Sequence, residues 1–337
     1  MADEARSGQT RRSISLGAEE ILGLYFPVLD HGFLALVDYM GSDEDIERAA
    51  RVSYGFGTRK RSQTRGLIRY LRRHKHTTPS EMVELKFHCS MPIFVARQWI
   101  RHRTANVNEL SGRYSLLPML FYSPGAGQMQ AQSAANRQGR AGGHLDAGLC
   151  AEAGRRWREL REGAMATYEW LNQHEVAREL ARIDLPLSTY TQWYWKIDLH
   201  NLLHFLTLRT DPHAQWEIQE YGRVMAGMLK RIAPLSYEAW IDYDLSGAHL
   251  SRMELDVLRR LLRASPEGIT AEGGSVARDE IEGHGLSRRE IDEFIEVLGG
   301  KEVPDFDLDL TQARPASYFE EKSVAAVPSS QPKPSEV

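Results

Sequence analysis

Val83-Glu-Leu-Lys-Phe-His-Cys-Ser-Met-Pro-Ile-Phe-Val-Ala-Arg-Gln-Trp-Ile-Arg-His-Arg103 holds a strand and the start of a helix in one run. Its first eight residues alternate, with Val83, Leu85, Phe87 and Cys89 on one side and Glu84, Lys86, His88 and Ser90 on the other, the period of a half-buried strand. Pro92 ends that strand, and its fixed φ and missing N–H suit the first turn of a helix. There the period changes. Ile93, Ala96 and Ile100 form an apolar stripe at helical steps, while Arg97, Gln98 and Arg101 share another face. A strand feeding such a helix predicts a packed base that presents cations.

Upstream, Ser42 or Asp43 starts a helix through Ile46, Ala49 and Ala50, and Gln63 to Arg73 continues helically. Downstream, a Gly/Gln/Ala-rich segment at roughly 123–145 reads as a loop. Trp157, Leu160, Ala164, Tyr168 and Leu171 then follow steps of three and four and predict a core-facing stripe. A second strand, rich in Thr, Tyr and Trp, spans Ser188 to Ile197. The helix after it turns Leu199, Leu202, Leu203 and Leu206 inward and leaves His200 and His204 on its other face, and residues 214–232 give a further amphipathic helix. The expected class is α+β: mixed helices and a small antiparallel sheet in one main domain, 19–245.

Residues 246–301 read as an accessory helical extension, with helical pieces at Met253–Leu262 and Ser287–Leu298 around the glycine-bearing ITAEGGSVAR. No internal repeat is evident. Residues 1–18 are polar and 302–337 are Pro/Ser-rich, the composition of disordered ends.

The 337 residues, 42% of them hydrophobic, suffice for a sizeable core. No run of some eighteen apolar residues and no apolar signal core occur, which predicts a cytoplasmic protein with no membrane partner. Cys89 and Cys150 are too few for a disulfide scaffold or a four-thiolate metal site. A net charge of -4 argues against a nucleic-acid partner, although Arg51, Arg59, Lys60, Arg61, Arg65, Arg69, Arg72, Arg73 and Lys75 crowd one stretch that reads as a solvated helix face.

The segment from Arg97 to Tyr114 is the chemically informative one. It gathers Arg97, Arg101, Arg103 and Arg113 with His102, Glu109 and Ser111 around a helix end and the turn after it. Guanidinium groups grip phosphate in a two-pronged manner, and Ser111 with the N–H groups around Gly112 completes a phosphate nest, so a small phosphorylated ligand is expected. An internal salt-bridge network is the alternative, and only Glu109 stands nearby to neutralise four cations.

Arg101-His102-Arg103, seven residues and then Ser111 match the RHR-x7-S signature, and the chain resembles the flavin-dependent thymidylate synthases. PIFVARQWIRHR, NELSGRYS, HKHTTPSEM and LRTDPHAQWEIQEY carry the resemblance over roughly residues 30–243. It implies that dUMP is bound by Gln98, Trp99, Ile100, Arg101, Glu109, Leu110, Ser111, Gly112, Arg113, Arg182 and Arg209, drawn from several subunits of a homotetramer. Arg209 would polarise the uracil and favour ionisation at N3. It also implies FAD contacts at His76, Thr78, Glu81, Arg101, His102, Arg103, Glu109, Asp198, Leu199, His200 and His204. NADPH and 5,10-methylenetetrahydrofolate are the implied co-substrates, and no metal is implied.

Asp198 and His204 stand where other members often carry asparagine, and Asp198 is equally placed to cap the helix that begins there. No Gly-x-Gly-x-x-Gly fingerprint precedes a helix, so a Rossmann site is not how FAD would be held. The four-residue spacing of His200 and His204 suits two metal ligands but lacks a third. Ser111 has no evident histidine base and reads as a phosphate contact, His88 reads as structural, and neither cysteine has an activating motif. Two other classes remain to be separated: a catalytically inactive flavin- or nucleotide-binding oligomer, and a nucleic-acid-binding module built on the basic run and Trp193, Tyr194 and Trp195.

Overall fold

The alternation at 83–90 becomes the middle strand of a five-stranded sheet. The computed structural model describes residues 13–52, 64–134, 139–266, 268–271, 274–300 and 302–328, so Arg59, Lys60 and Arg61 of the basic run lie outside the described residues. The chain runs through α1 (Leu16–Glu19), β1 (Tyr25–Val28), β2 (Gly32–Met40), α2 (Asp43–Val52), α3 (Thr64–Arg73), α4 (Thr78–Glu81), β3 (Glu84–Pro92), α5 (Ile93–Trp99) and β4 (Asn106–Glu109). A hairpin of β5 (Gln130–Gln132) and β6 (Arg140–His144) precedes α6 (Ala147–Gln173), α7 (Arg178–Ala181), β7 (Tyr190–Asp198), α8 (Leu199–Arg209), α9 (Trp216–Ile232) and α10 (Pro234–Trp240). Then come α11 (Arg252–Leu261), β8 (Leu262–Ser265), β9 (Gly268–Ala271), α12 (Arg278–Glu282), α13 (Arg288–Gly299) and α14 (Ala316–Ala325).

The main sheet is antiparallel throughout, in the order β1-β2-β3-β7-β4. On one face Leu85, Phe87 and Cys89 of β3 and Trp193, Trp195 and Ile197 of β7 are buried. Trp99 of α5 packs there, 5.2 Å from Trp195 and 5.0 Å from Phe205 between ring centres. This aromatic layer fixes where α5 and α8 stop, and so where their arginines emerge. The inward residues of α5 are Val95, Ala96 and Trp99, whereas the expected stripe named Ile93 and Ile100, which are only half-buried. The helix also ends at Trp99, two residues short of Arg101, which leaves Arg101 to Arg103 on the turn beyond it.

Four expectations need correction. The 123–145 segment contains the β5–β6 hairpin rather than only loop. Of the stripe on α6, Tyr168 alone is fully buried, and Leu160 is 65% exposed. The N-terminal segment is ordered where it is described: Ser15 caps α1, and its hydroxyl donates to the Ile232 carbonyl at 2.8 Å. The C-terminal 302–337 segment is not simply a tail, because α14 is seated on the sheet. Its Phe319 lies 4.8 Å from Phe33 and 6.0 Å from Tyr25. Tyr25 and Arg314 exchange backbone hydrogen bonds of 3.0 and 2.8 Å. Burial of one aromatic residue outweighs the Pro/Ser composition around it.

The chain divides into two units, one running to Tyr237 and resuming at Phe306, the other Glu238–Asp305. The second is therefore longer at both ends than the expected 246–301 extension. Its core is Val257, Ile281, Leu286, Ile291 and Phe294. α11 and α13 each open with Leu-Ser-Arg-x-Glu, at Leu250–Glu254 and Leu286–Glu290, and each serine forms a capping box with the glutamate three residues on. This short repeat escapes a reading by composition. No helix among the described residues is long and apolar enough to cross a membrane.

Candidate active site

The turn after α5 faces the C-terminal half of α8 across the end of β7. Arg101, His102, Arg103 and Thr104 follow α5, and Asn201, His204, Leu208 and Arg209 face them from α8, around a cavity of about 370 Å³. Within it, Arg209 Nε donates to His102 Nε2 at 3.0 Å. Since that ring nitrogen accepts, the neutral ring carries its proton on Nδ1. Burial first, then the charge of Arg209 and His204, pushes the His102 pKa down to about 4. Burial and the neighbouring Arg101 guanidinium also lower the pKa of Arg209. Arg209 Nη2 reaches the Gln98 carbonyl at 3.5 Å. The guanidinium is thus held along one edge by the protein and keeps its other donors for a ligand.

A second group gathers beside α4. Burial and Arg72 lower the pKa of His200, opposed by Asp198 and Glu81, so these three charged side chains lie in electrostatic reach of the imidazole. His200 Nδ1 is buried without a hydrogen-bond partner. Asp198 caps α8, with one oxygen accepting from the Asn201 N–H at 2.9 Å and the other from its side-chain amide at 2.8 Å. His76 and Thr78, on the corner between α3 and α4, are exposed. Among the described residues, no group of three His, Cys, Asp or Glu side chains is placed to hold a metal ion.

The third group lies beyond β4. This edge strand, exposed at all four residues, carries the chain about 13 Å away from His102 at some 3.3 Å per residue. Glu109 accepts from the Thr191 hydroxyl at 2.7 Å, and the Leu110 N–H donates to the Gln192 carbonyl at 2.8 Å. The turn from Ser111 follows, where the Arg113 N–H donates to the Ser111 hydroxyl at 3.3 Å. A Cβ on Gly112 would stand 3.0 Å from Leu117 Cδ1 and 3.1 Å from Arg182 Cδ, so a larger residue here would require those two side chains to shift by a few tenths of an ångström. Arg113 pairs with Glu179 at 3.4 Å. None of Ser111, Gly112, Arg113 and Arg182 lines the cavity beside Arg209.

The expected residues therefore fall into three groups rather than one. Trp99 and Leu199 are wholly buried, so their side chains support the floor, and Leu110 packs against the cluster of Leu116, Leu117 and Tyr168. Residues passed over by the sequence reading include Asn201, Gln215 and Glu217. Gln215 and Glu217 lie inside LRTDPHAQWEIQEY, where the resemblance implies a role for Arg209 alone. A carboxylate on the apolar side of an amphipathic helix was the available signal.

The family model described as "Thymidylate synthase complementing protein" matches residues 35–235. The chain is 48% identical to the flavin-dependent thymidylate synthase of Ruegeria pomeroyi over 305 residues, 88% of this chain and 96% of that protein. It is 50% identical to that of Gluconobacter oxydans over 294 residues, 86% and 93% of the two chains. Among solved structures, a UMP/dUMP methylase from Streptomyces cacaoi bound with 5-Br dUMP matches with a TM-score of 0.59 at 32% identity, covering 66% of this chain and 99% of that one. The same methylase bound with 5-Br UMP also gives a TM-score of 0.59 at 32% identity, over 65% and 98%. With the signature arginines assembled on this sheet and relatives near half identical along most of the length, the chain belongs to the flavin-dependent thymidylate synthase family.

Proposed function

We propose that this protein converts dUMP to dTMP, taking the carbon from 5,10-methylenetetrahydrofolate and the hydride from FAD that NADPH reduces. The observation that carries the reading is the Arg209–His102 contact inside a cavity that also holds Arg101 and Arg103. The donor set fits a flavin: guanidinium groups and the Asn201 amide suit diphosphate oxygens and ring carbonyls, and the orphaned His200 Nδ1 awaits a partner. Arg101, His102, Arg103, His204, His200, Leu199, His76, Thr78, Glu81 and Glu109 would hold it. Asp198 caps α8 with one hydrogen bond to each carboxylate oxygen and keeps acceptor capacity for the flavin, so it sets the helix and contacts the cofactor. A reduced flavin supplies the hydride when bound.

The chain's own residues orient and polarise. Arg209 remains cationic and fixed by His102, and its free edge stabilises negative charge as it develops on the uracil, which raises electron density at C5. Gln98, Ile100 and Arg101 stand beside it. Ser111, the Gly112 and Arg113 N–H groups, Arg113 and Arg182 grip the phosphate. Because the phosphate turn and the Arg209 cavity lie apart in one chain, a complete site forms where two subunits of a homotetramer meet.

Anaerobic turnover of purified protein with dUMP, methylenetetrahydrofolate, FAD and NADPH, omitting each in turn, tests this. dTMP that requires all four is the expected result. A flavin spectrum without dTMP would replace the proposal with an inactive flavoprotein.

A further inference from the structure

Glu217 is 1% exposed, in the first turn of α9, and three donors converge on its carboxylate. The Tyr122 hydroxyl donates to one oxygen at 2.9 Å, where the Arg140 guanidinium also donates, and Gln215 Nε2 donates to the other at 2.9 Å. Burial and the adjacent Glu217 push the Tyr122 pKa upward, which keeps that hydroxyl a donor. A carboxylate only accepts, so the Gln215 amide must turn its NH2 inward and its Oε1 outward. That oxygen accepts from Gln98 Nε2. The polarity of both amides is thereby set from one end: Gln98 gives its NH2 to Gln215, and its own Oε1 stays available as an acceptor. Gln98 lies next to Arg209, whose Nη2 is 3.5 Å from the Gln98 carbonyl.

We infer that Glu217 is a positioning residue for dUMP, its carboxylate setting the Gln215–Gln98 relay so that Gln98 meets an N–H or O–H of the nucleotide as an acceptor. The inference rests on the reading that places Gln98 at the nucleotide. Arg140 and Tyr122 are the other partners of Glu217, and through them it also anchors the β5–β6 hairpin. A test must separate that anchoring from the relay.

The measurement is the dUMP dissociation constant of the FAD-loaded protein, with FAD affinity as control. Gln98→Ala weakens dUMP by about 5- to 10-fold, the worth of one hydrogen bond. Glu217→Gln permits the flipped amides and weakens it by about 3- to 10-fold, with FAD affinity changed less than about twofold. In the Gln98→Ala background Glu217→Gln adds less than about twofold, because the group it positions is already gone. The swap Glu217→Gln with Gln215→Glu returns dUMP affinity to within about twofold of the original: a carboxylate at 215 still forces Gln98 to donate, and an amide at 217 still accepts from Tyr122 and Arg140. Additive losses in the double variant, or a swap no better than Glu217→Gln alone, overturn the relay. An unchanged constant for Gln98→Ala removes Gln98 from the nucleotide and the relay with it, a failure distinct from the additive one. Should Glu217→Gln not fold, Gln215→Leu interrupts the relay while leaving Glu217 with Tyr122 and Arg140, and the same cycle with Gln98→Ala decides.

Discussion

His102 owes its neutrality to where α5 ends. Trp99 is pinned in the aromatic layer, so three residues later the imidazole meets Arg209 Nε at 3.0 Å and stacks edge-on against Phe205. The groups facing it are Arg209 and His204, both of which disfavour a proton. In the ligand-free protein His102 therefore titrates near pH 4 rather than near its ordinary 6.5. The unfolded chain takes up this proton first, so between those values the unfolded state binds more protons and stability falls as pH drops through the window. The ring is half exposed, which makes the loss smaller than the full shift implies. Nitrogen-15 spectra of His102 check this, and a midpoint close to 6.5 would refute it. Arg209→Ala separates the two roles at the same place: dTMP formation falls by about 10²- to 10³-fold, the usual effect of removing a donor to a developing anion. The flavin spectrum is retained, and a colourless variant would reassign Arg209 to the flavin.

At the scale of elements, legibility followed periodicity. β3, β7 and α8 were readable because both their faces have distinct environments, and the aromatic side of β7 is buried at Trp193 and Trp195. β4 was not, since all four of its residues are exposed and an edge strand without a buried face has no alternation to read. α14 was hidden by its flanks, and only Phe319 of it is buried. Yet its C-terminal end braces the stretch around the Ser111 turn. The Met119 N–H donates to the Ala326 carbonyl at 2.9 Å, and Val327 packs against the cluster that includes Leu110 and Leu117. Gln192, whose carbonyl receives the Leu110 N–H, also donates through its side chain to the Ser323 hydroxyl at 3.4 Å. Truncation after Asp305 should therefore weaken dUMP binding, contrary to what the composition of a dispensable tail suggests. Phe319→Ala should lower unfolding free energy by about 3 kcal/mol, the scale of emptying an aromatic site. A denaturant midpoint unmoved by Phe319→Ala would mean that α14 is not seated.

At the scale of the molecule the decisive residues are those that a single chain leaves uncovered. α6 spans about 40 Å at 1.5 Å per residue, and the spacing of Trp157, Leu160, Ala164, Tyr168 and Leu171 predicts a core-facing stripe along it. The period was right, but only part of the stripe meets this chain's core: the Tyr168 hydroxyl accepts from the Leu117 N–H at 3.2 Å, while Trp157 and Leu160 are 39% and 65% exposed. Sequence periodicity reports that a face is apolar, not which chain buries it. Subunit contacts along this helix would cover those residues and account for a helix whose apolar side exceeds what its own fold uses. Leu160→Glu places a charge where such a contact would be dry, at a position outside all three site groups. The variant should elute as a smaller species in light-scattering chromatography, keep the helical circular dichroism of the parent, and lose dTMP formation because the phosphate turn and the Arg209 cavity no longer meet. A variant of parental mass would move the subunit contact away from Leu160, and a dissociated variant that still makes dTMP would place a complete site within one chain.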